Sequence, residues 1–222
     1  MHSGLAAIVE GFPYILGGVG TTLSVVAGAL AMGFALGLLL AVGQVYGPTG
    51  VRRGIAVYVW FFRGIPLLVL LFLIYFGVLG ALEIDLSPFT VAILVLGLIS
   101  SAYQAQILRG AILSVPEGQR KAARALGMSD GRAIVHIVLP QALRLALPGW
   151  SNEYTVLMKD SAITYALGVA ELMARTHHTA ARTYQHFWLY LMVGLIYMGL
   201  TWLGIRLLHR LEERFAIAGY SR

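Results

Sequence analysis

A largely apolar stretch from about Leu145 to Ala170 carries Glu153, Lys159 and Asp160. Inside a bilayer each charge near the centre costs about 2.5–3.5 kcal/mol on insertion scales. Three in one segment are therefore placed for a purpose or lie near its ends. Glu153 and Asp160 are 7 positions apart. At about 100° per residue they fall within roughly 20° of one helix face, about 10.5 Å apart along the axis. Val156 and Thr164 extend that stripe, and Lys159 projects about 120° away from Glu153. Two acids on one face can line an aqueous path and hold an ammonium group. Lys159 can pair with a neighbouring helix or snorkel outward. The structural alternative has Glu153 tying down another helix and Asp160 capping a broken helix near Ser161. A third reading makes the two acids the catalytic carboxylates of a membrane-embedded enzyme, but no histidine stands beside them.

His177, His178 and His186 raise the question of a metal. Glu171 is their only nearby carboxylate, and a solvated loop is the expected reading. There are 0 cysteines, which excludes a disulfide framework, a thiol catalyst and a cysteine-ligated metal. No Gly-Lys-Ser/Thr phosphate loop is present, so the chain is not expected to bind ATP.

The second informative stretch is Ser114 to Pro140. Ser114-Val115-Pro116-Glu117 reads as a capping box, with Pro116 suited to the first turn. Helix formers follow to Leu126, and Gly127 is a stop. Ser129 can cap a second helix over about Asp130 to Leu139, ended by Pro140. The first helix places Arg120, Lys121 and Arg124 among Ala122, Ala123 and Ala125. Alanines permit close approach of a partner, and the cations suit acidic groups. The alternative is a basic helix resting on anionic lipid.

The elements that must hold these residues follow from composition. The 222 residues are 59% hydrophobic and 12% charged, against about 25% charged in soluble proteins. That excludes a soluble enzyme, a disordered chain and a fibrous repeat, and predicts a polytopic membrane protein. Charge-free intervals at 11–51, 64–82, 86–108 and 183–205 each hold one span of about 20 residues. The charged 145–170 segment makes a fifth. Of 16 lysines and arginines, 13 then lie on one side, in the loops 47–63 and 109–144 and the tail 206–222. The positive-inside bias makes that side cytoplasmic, with the N-terminus outside. Met1 to Gly11 has no lysine or arginine, so a cleavable signal peptide is not expected. Topology and anionic head groups account for the net charge of +6 without nucleic acid. Gly28, Gly33 and Gly37 in the first span read as helix-packing positions.

A family resemblance rests on motifs in order along about residues 20–215. Ala122-Ala123, Gly127, Ile137 and Leu139-Pro140 match the spacing of the EAA loop of ABC-importer membrane subunits. Arg63-Gly64-Ile65-Pro66-Leu67-Leu68-Val69 resembles the RGTPLLV segment of the polar amino-acid uptake branch. Ser101-Ala102-Tyr103, Arg109-Gly110-Ala111-Ile112, Asn152-Glu153 and Lys159-Asp160-Ser161 follow the same pattern, as does Thr21-Thr22-Leu23. The sequence departs from it at Lys121 (for Glu), Ile65 (for Thr), Leu70 (for Gln) and Gln106 (for Glu).

The resemblance implies an all-α, five-span type I ABC-importer fold, one transmembrane domain over 1–222, in a prokaryotic inner membrane. It implies a coupling-helix loop at 114–140, with Pro116, Glu117, Arg120, Lys121, Ala122, Ala123, Arg124 and Gly127 meeting a separate ATPase. Glu153, Asp160, Asn152, Thr164 and Gln106 become the expected lining of the path for a polar amino acid. Partners would be an ATPase dimer that holds ATP and Mg, a second permease subunit, identical or homologous, and an extracytoplasmic binding protein. The less polar Ile65, Leu70 and Gln106 suggest one half of an asymmetric pair. A passive pore is the remaining alternative.

Overall fold

The computed structural model describes residues 4–215, and every regular element in it is helical. Met1, at the end expected outside, and Arg222, of the basic tail, lie outside the described residues. Helix α1 spans Gly4–Leu16 and α2 Val19–Tyr46. Helix α3 spans Thr49–Gly64, and α4, Leu67–Phe72, runs on as a π-helical stretch Leu73–Leu79. Next come α5 (Pro88–Ser114), α6 (Glu117–Ala125) and α7 (Asp130–Ala133). A second π-helical stretch, Ile134–Val138, leads into α8, Leu139–Ser161. A 3-10 turn at Ala162–Leu167, then α9 (Leu172–Thr183) and α10 (His186–Phe215), complete the order.

Four segments are long and apolar enough to cross a bilayer: Ile8–Tyr46, Pro88–Ser114, Asp130–Leu167 and His186–Phe215. The expected span at 64–82 is different. It is the second limb of a pair, Thr49–Gly64 and Leu67–Leu79, bent by 106°. The cause is local, because Pro66 disfavours helical geometry for the residue before it. Ile65 accordingly takes extended angles of φ −98° and ψ 134°.

The bent pair nonetheless has to carry the chain across. Gly28 faces Ile93, Gly33 faces Ser100 and Gly37 faces Ala105, so α2 and α5 run parallel. The end of α2 and the start of α5 therefore lie on opposite sides, and residues 47–87 connect them. Ser100 meets Glu153 while Ile107 meets Gly149, so α8 is antiparallel to α5. Tyr154 meets Leu200 and Gly204 while Ser161 meets Tyr197, so α10 is antiparallel to α8. Five crossings result. Helix α10, at 30 residues, is about 45 Å long and outruns the roughly 30 Å hydrocarbon layer, carrying its Arg206 end beyond it.

Glycine allows the tight α2–α5 contact. A Cβ on Gly33 would sit 2.6 Å from the Ser100 Oγ, closer than atoms can approach. The resulting core joins Val25, Val26 and Ala29 to Val91, Val95, Leu96 and, from α8, Leu157 and Met158.

Three local expectations change. Ser114 does not cap α6: it ends α5, donating to the Gly110 carbonyl at 2.9 Å, and Pro116 occupies the cap position. Pro140 does not end a helix. The π-helical turn shifts the register, so Pro140 falls in the first turn of α8, where its missing N–H is harmless. The segment with His177 and His178, expected as a loop, is the helix α9.

Candidate functional site

A polar seam runs through the bundle where α2, α5 and α8 meet. Glu153 is only 3% exposed. Its Oε1 accepts the Ser100 hydroxyl at 2.6 Å. Gln104 donates to the Ser100 Oγ at 3.0 Å and to the Leu30 carbonyl at 3.1 Å. One carboxylate thus ends a chain of bonds joining three spans, the usual way a polar group is kept inside a membrane bundle. Asp160 and Arg63 are the charges whose fields reach it. Arg63 lies in the last turn of α3 beside the break at Ile65-Pro66, 4.7 Å over the Tyr103 ring. Tyr58 pins α3 to α5, its hydroxyl 2.7 Å from the Ser101 Oγ. A broken helix beside buried polar groups is where membrane transporters place ligands.

The other sequence-derived residues spread out from this seam. Asp160 is half-buried and is the penultimate residue of α8. Thr164 is fully buried, its hydroxyl donating to the Ser161 carbonyl at 2.6 Å. Asn152 is exposed. Gln106 donates to the Gln44 Oε1 at 2.9 Å, a separate bridge between α5 and α2. Lys159 faces α10 and lines an apolar pocket of about 450 Å³ with Tyr197, Met198, Thr201 and Trp202.

Sequence reasoning met Glu171 only as the carboxylate nearest the histidines and missed its capping role. It is fully buried and caps α9, accepting from the Met173 and Ala174 amides at 2.8 and 2.7 Å. The Tyr197 hydroxyl donates to it at 2.5 Å, and Thr22 accepts from the neighbouring Leu172 amide. Burial pushes the carboxyl pKa up, and these hydrogen bonds pull it back. Glu is not among the favoured cap residues, but its place three positions after a helix-stopping Gly168 was a usable signal. His177 contacts the Tyr190 hydroxyl at 3.0 Å and His186 stacks on the Tyr190 ring.

At the other end, α6 hangs between α5 and α8. Gly127 has φ +82°, and the Met128 amide reaches the Ala123 carbonyl while the Gly127 amide reaches that of Arg124. This is a Schellman stop. Asp130 lies within 3.7 Å of Arg120 and 3.6 Å of Arg124, and Glu117 lies 3.4 Å from Lys121. Ala123 is buried, anchoring the helix to the loop, while Ala122, Ala125 and Leu126 face out.

Residues 33–217 match the family described as the binding-protein-dependent transport system inner membrane component. The chain belongs to that family. Among curated relatives, the arginine ABC transporter permease protein ArtQ of Haemophilus influenzae is 36% identical over 200 residues, covering 87% of this chain and 90% of its own. The glutamine transport system permease protein GlnP of Escherichia coli is 32% identical over 213 residues, covering 96% and 97%. A solved amino acid ABC transporter with histidines superposes with a TM-score of 0.86 at 33% identity, over 96% of this chain and 100% of that one. The MetNI methionine transporter superposes at 0.80 with 21% identity, which speaks for the fold alone.

The chain is thus an amino-acid ABC transporter permease subunit of the inner membrane, a transport component and not an enzyme.

Proposed function

We propose that this permease forms the membrane path of an ATP-driven importer for polar amino acids, favouring a cationic side chain. In this reading the N-terminus is outside and the C-terminus cytoplasmic. A binding protein delivers substrate outside, α6 docks on an ATPase dimer that holds ATP and Mg, and a second permease subunit completes the path. The observation that carries it is the arrangement along α8. That one helix links the exposed α6–α7 loop directly to Glu153 and Asp160. A tilt imposed at α6 reaches the seam through a continuous rod.

Relatives named for arginine and for glutamine match at similar identity, which supports polar amino acids as the class. Two carboxylates near the break support a cation. Asp160, with no side-chain hydrogen bond among those described, is the better placed to meet substrate, with Asn152, Thr164 and Gln106 as further lining. Glu153 supplies field from behind.

The test is ATP-dependent uptake of arginine, glutamine and glutamate in proteoliposomes holding the permease, its ATPase and its binding protein. Asp160→Asn and Glu153→Gln are expected to lower arginine uptake about tenfold or more and glutamine uptake less, with Lys159→Gln milder than Glu153→Gln. Equal loss for all three substrates would overturn the cationic preference. Undiminished uptake in both acid variants would remove the acids from the path.

A further inference from the structure

The outward face of α6 has a chemistry that specifies its partner. Gly118, Ala122, Ala125 and Leu126 follow helical i, i+4, i+7 and i+8 spacing and are all exposed, so they form one apolar stripe. Leu126 is 86% exposed at the tip, held there by the left-handed Gly127. Three of the four stripe residues carry at most a methyl group, so a partner backbone can come close. Lys121 flanks the stripe, 71% exposed, and Arg124 beyond it is 59% exposed. Among the described residues, the carboxylates paired with these cations are Glu117 and Asp130. Asp130 is shared between Arg120 and Arg124, and Glu117 between Arg120 and Lys121. The face is left net positive.

A lipid surface fits poorly. One leucine contributes only about 2 kcal/mol on burial, and interfacial helices rely on several bulky apolar residues. A protein groove fits both features, with a pocket for Leu126, a narrow floor for the alanines and carboxylates on the rim. We propose that the ATPase partner of this permease presents an acidic-rimmed groove to α6, with Lys121 as the selecting charge and Leu126 as the apolar anchor. This rests on the reading of α6 as the ATPase-docking helix. It adds the sign of the partner's surface, so an ATPase whose groove carries basic residues at the rim is rejected by this chain.

The test uses the intact permease co-expressed with its cognate ATPase and purified in detergent, wild type against Lys121→Glu, Lys121→Gln and Leu126→Ala. Because the chain has no cysteine, a photo-crosslinker on Lys121→Cys maps what the position touches. Lys121→Glu is expected to weaken ATPase binding about tenfold or more at low salt, Lys121→Gln less, and both are expected to flatten its salt dependence. Leu126→Ala is expected to weaken binding at every salt concentration. The crosslink is expected on an ATPase segment bearing Asp or Glu, and exchanging that acid for Lys is expected to restore Lys121→Glu. A crosslink to lipid, or to a basic ATPase segment, overturns the proposal. So does unchanged affinity and salt dependence in Lys121→Glu while wild type binds, an outcome that leaves the docking role of α6 standing. Failure of the wild-type permease to hold its ATPase at all overturns the docking role itself.

Discussion

Replacing Glu153 by glutamine keeps an acceptor for the Ser100 hydroxyl and removes only charge, whereas alanine strands the hydroxyl donor in the bundle. Leaving a buried donor unmade costs about 1–3 kcal/mol. Glu153→Ala is therefore expected to lower the thermal unfolding midpoint clearly in detergent, and Glu153→Gln much less, which separates scaffold from transport at one position. Glu171 is the more purely structural acid. Its carboxylate serves two amides and the Tyr197 hydroxyl. Loss of a cap costs about 1 kcal/mol, and the stranded tyrosine adds to it, so Glu171→Ala is expected to destabilise more than Glu171→Gln in the same assay. An unchanged midpoint in Glu171→Ala would contradict the capping geometry. The sequence placed Glu153 and Asp160 on one helix because a period of seven needs only a straight helix to become a shared face. It could not tell that Ser100 approaches Glu153, since that depends on how α5 packs.

At the scale of elements, the spans were legible wherever charge was absent, and the Gly127 stop was legible because only glycine takes that backbone cheaply. The places that misled were those where register shifts. A π-helical turn before Leu139 moved Pro140 from a helix end to a helix start, and no residue type announces such a turn. The break at Pro66 was present in the sequence as an extended dipeptide, yet the charge gap at 64–82 concealed it. Buried Ala123 also changes what a loop variant reports. Arginine there disrupts the α6–α7 loop itself, while Leu126→Ala leaves the loop intact and tests docking alone. Gly127→Asn is expected to preserve coupled transport because asparagine tolerates the left-handed region. Gly127→Val, with about 1–2 kcal/mol of backbone strain, is expected to reduce it several-fold. Equal transport by the two variants would show that the Schellman stop does not set the position of α6.

For the whole molecule, the parallel course of α2 and α5 requires one crossing between them, and the positive-inside bias of 13 of 16 basic residues predicts which side is cytoplasmic. Single cysteines at exposed Tyr184 and Leu126 are expected to react with an impermeant reagent from outside and from the cytoplasm, respectively. The reverse pattern would invert the topology. The link from α6 to the α7–α8 rod matters only if ATP turnover at one end moves substrate past the other. The most direct measurement is ATP-dependent arginine uptake in proteoliposomes containing the permease, its ATPase and its binding protein, with Leu126→Ala beside wild type. Uptake is predicted to require ATP, and Leu126→Ala is predicted to lose most of it while the protein still inserts and folds. Equal uptake without ATP, or full ATP-driven uptake in Leu126→Ala, would contradict the account.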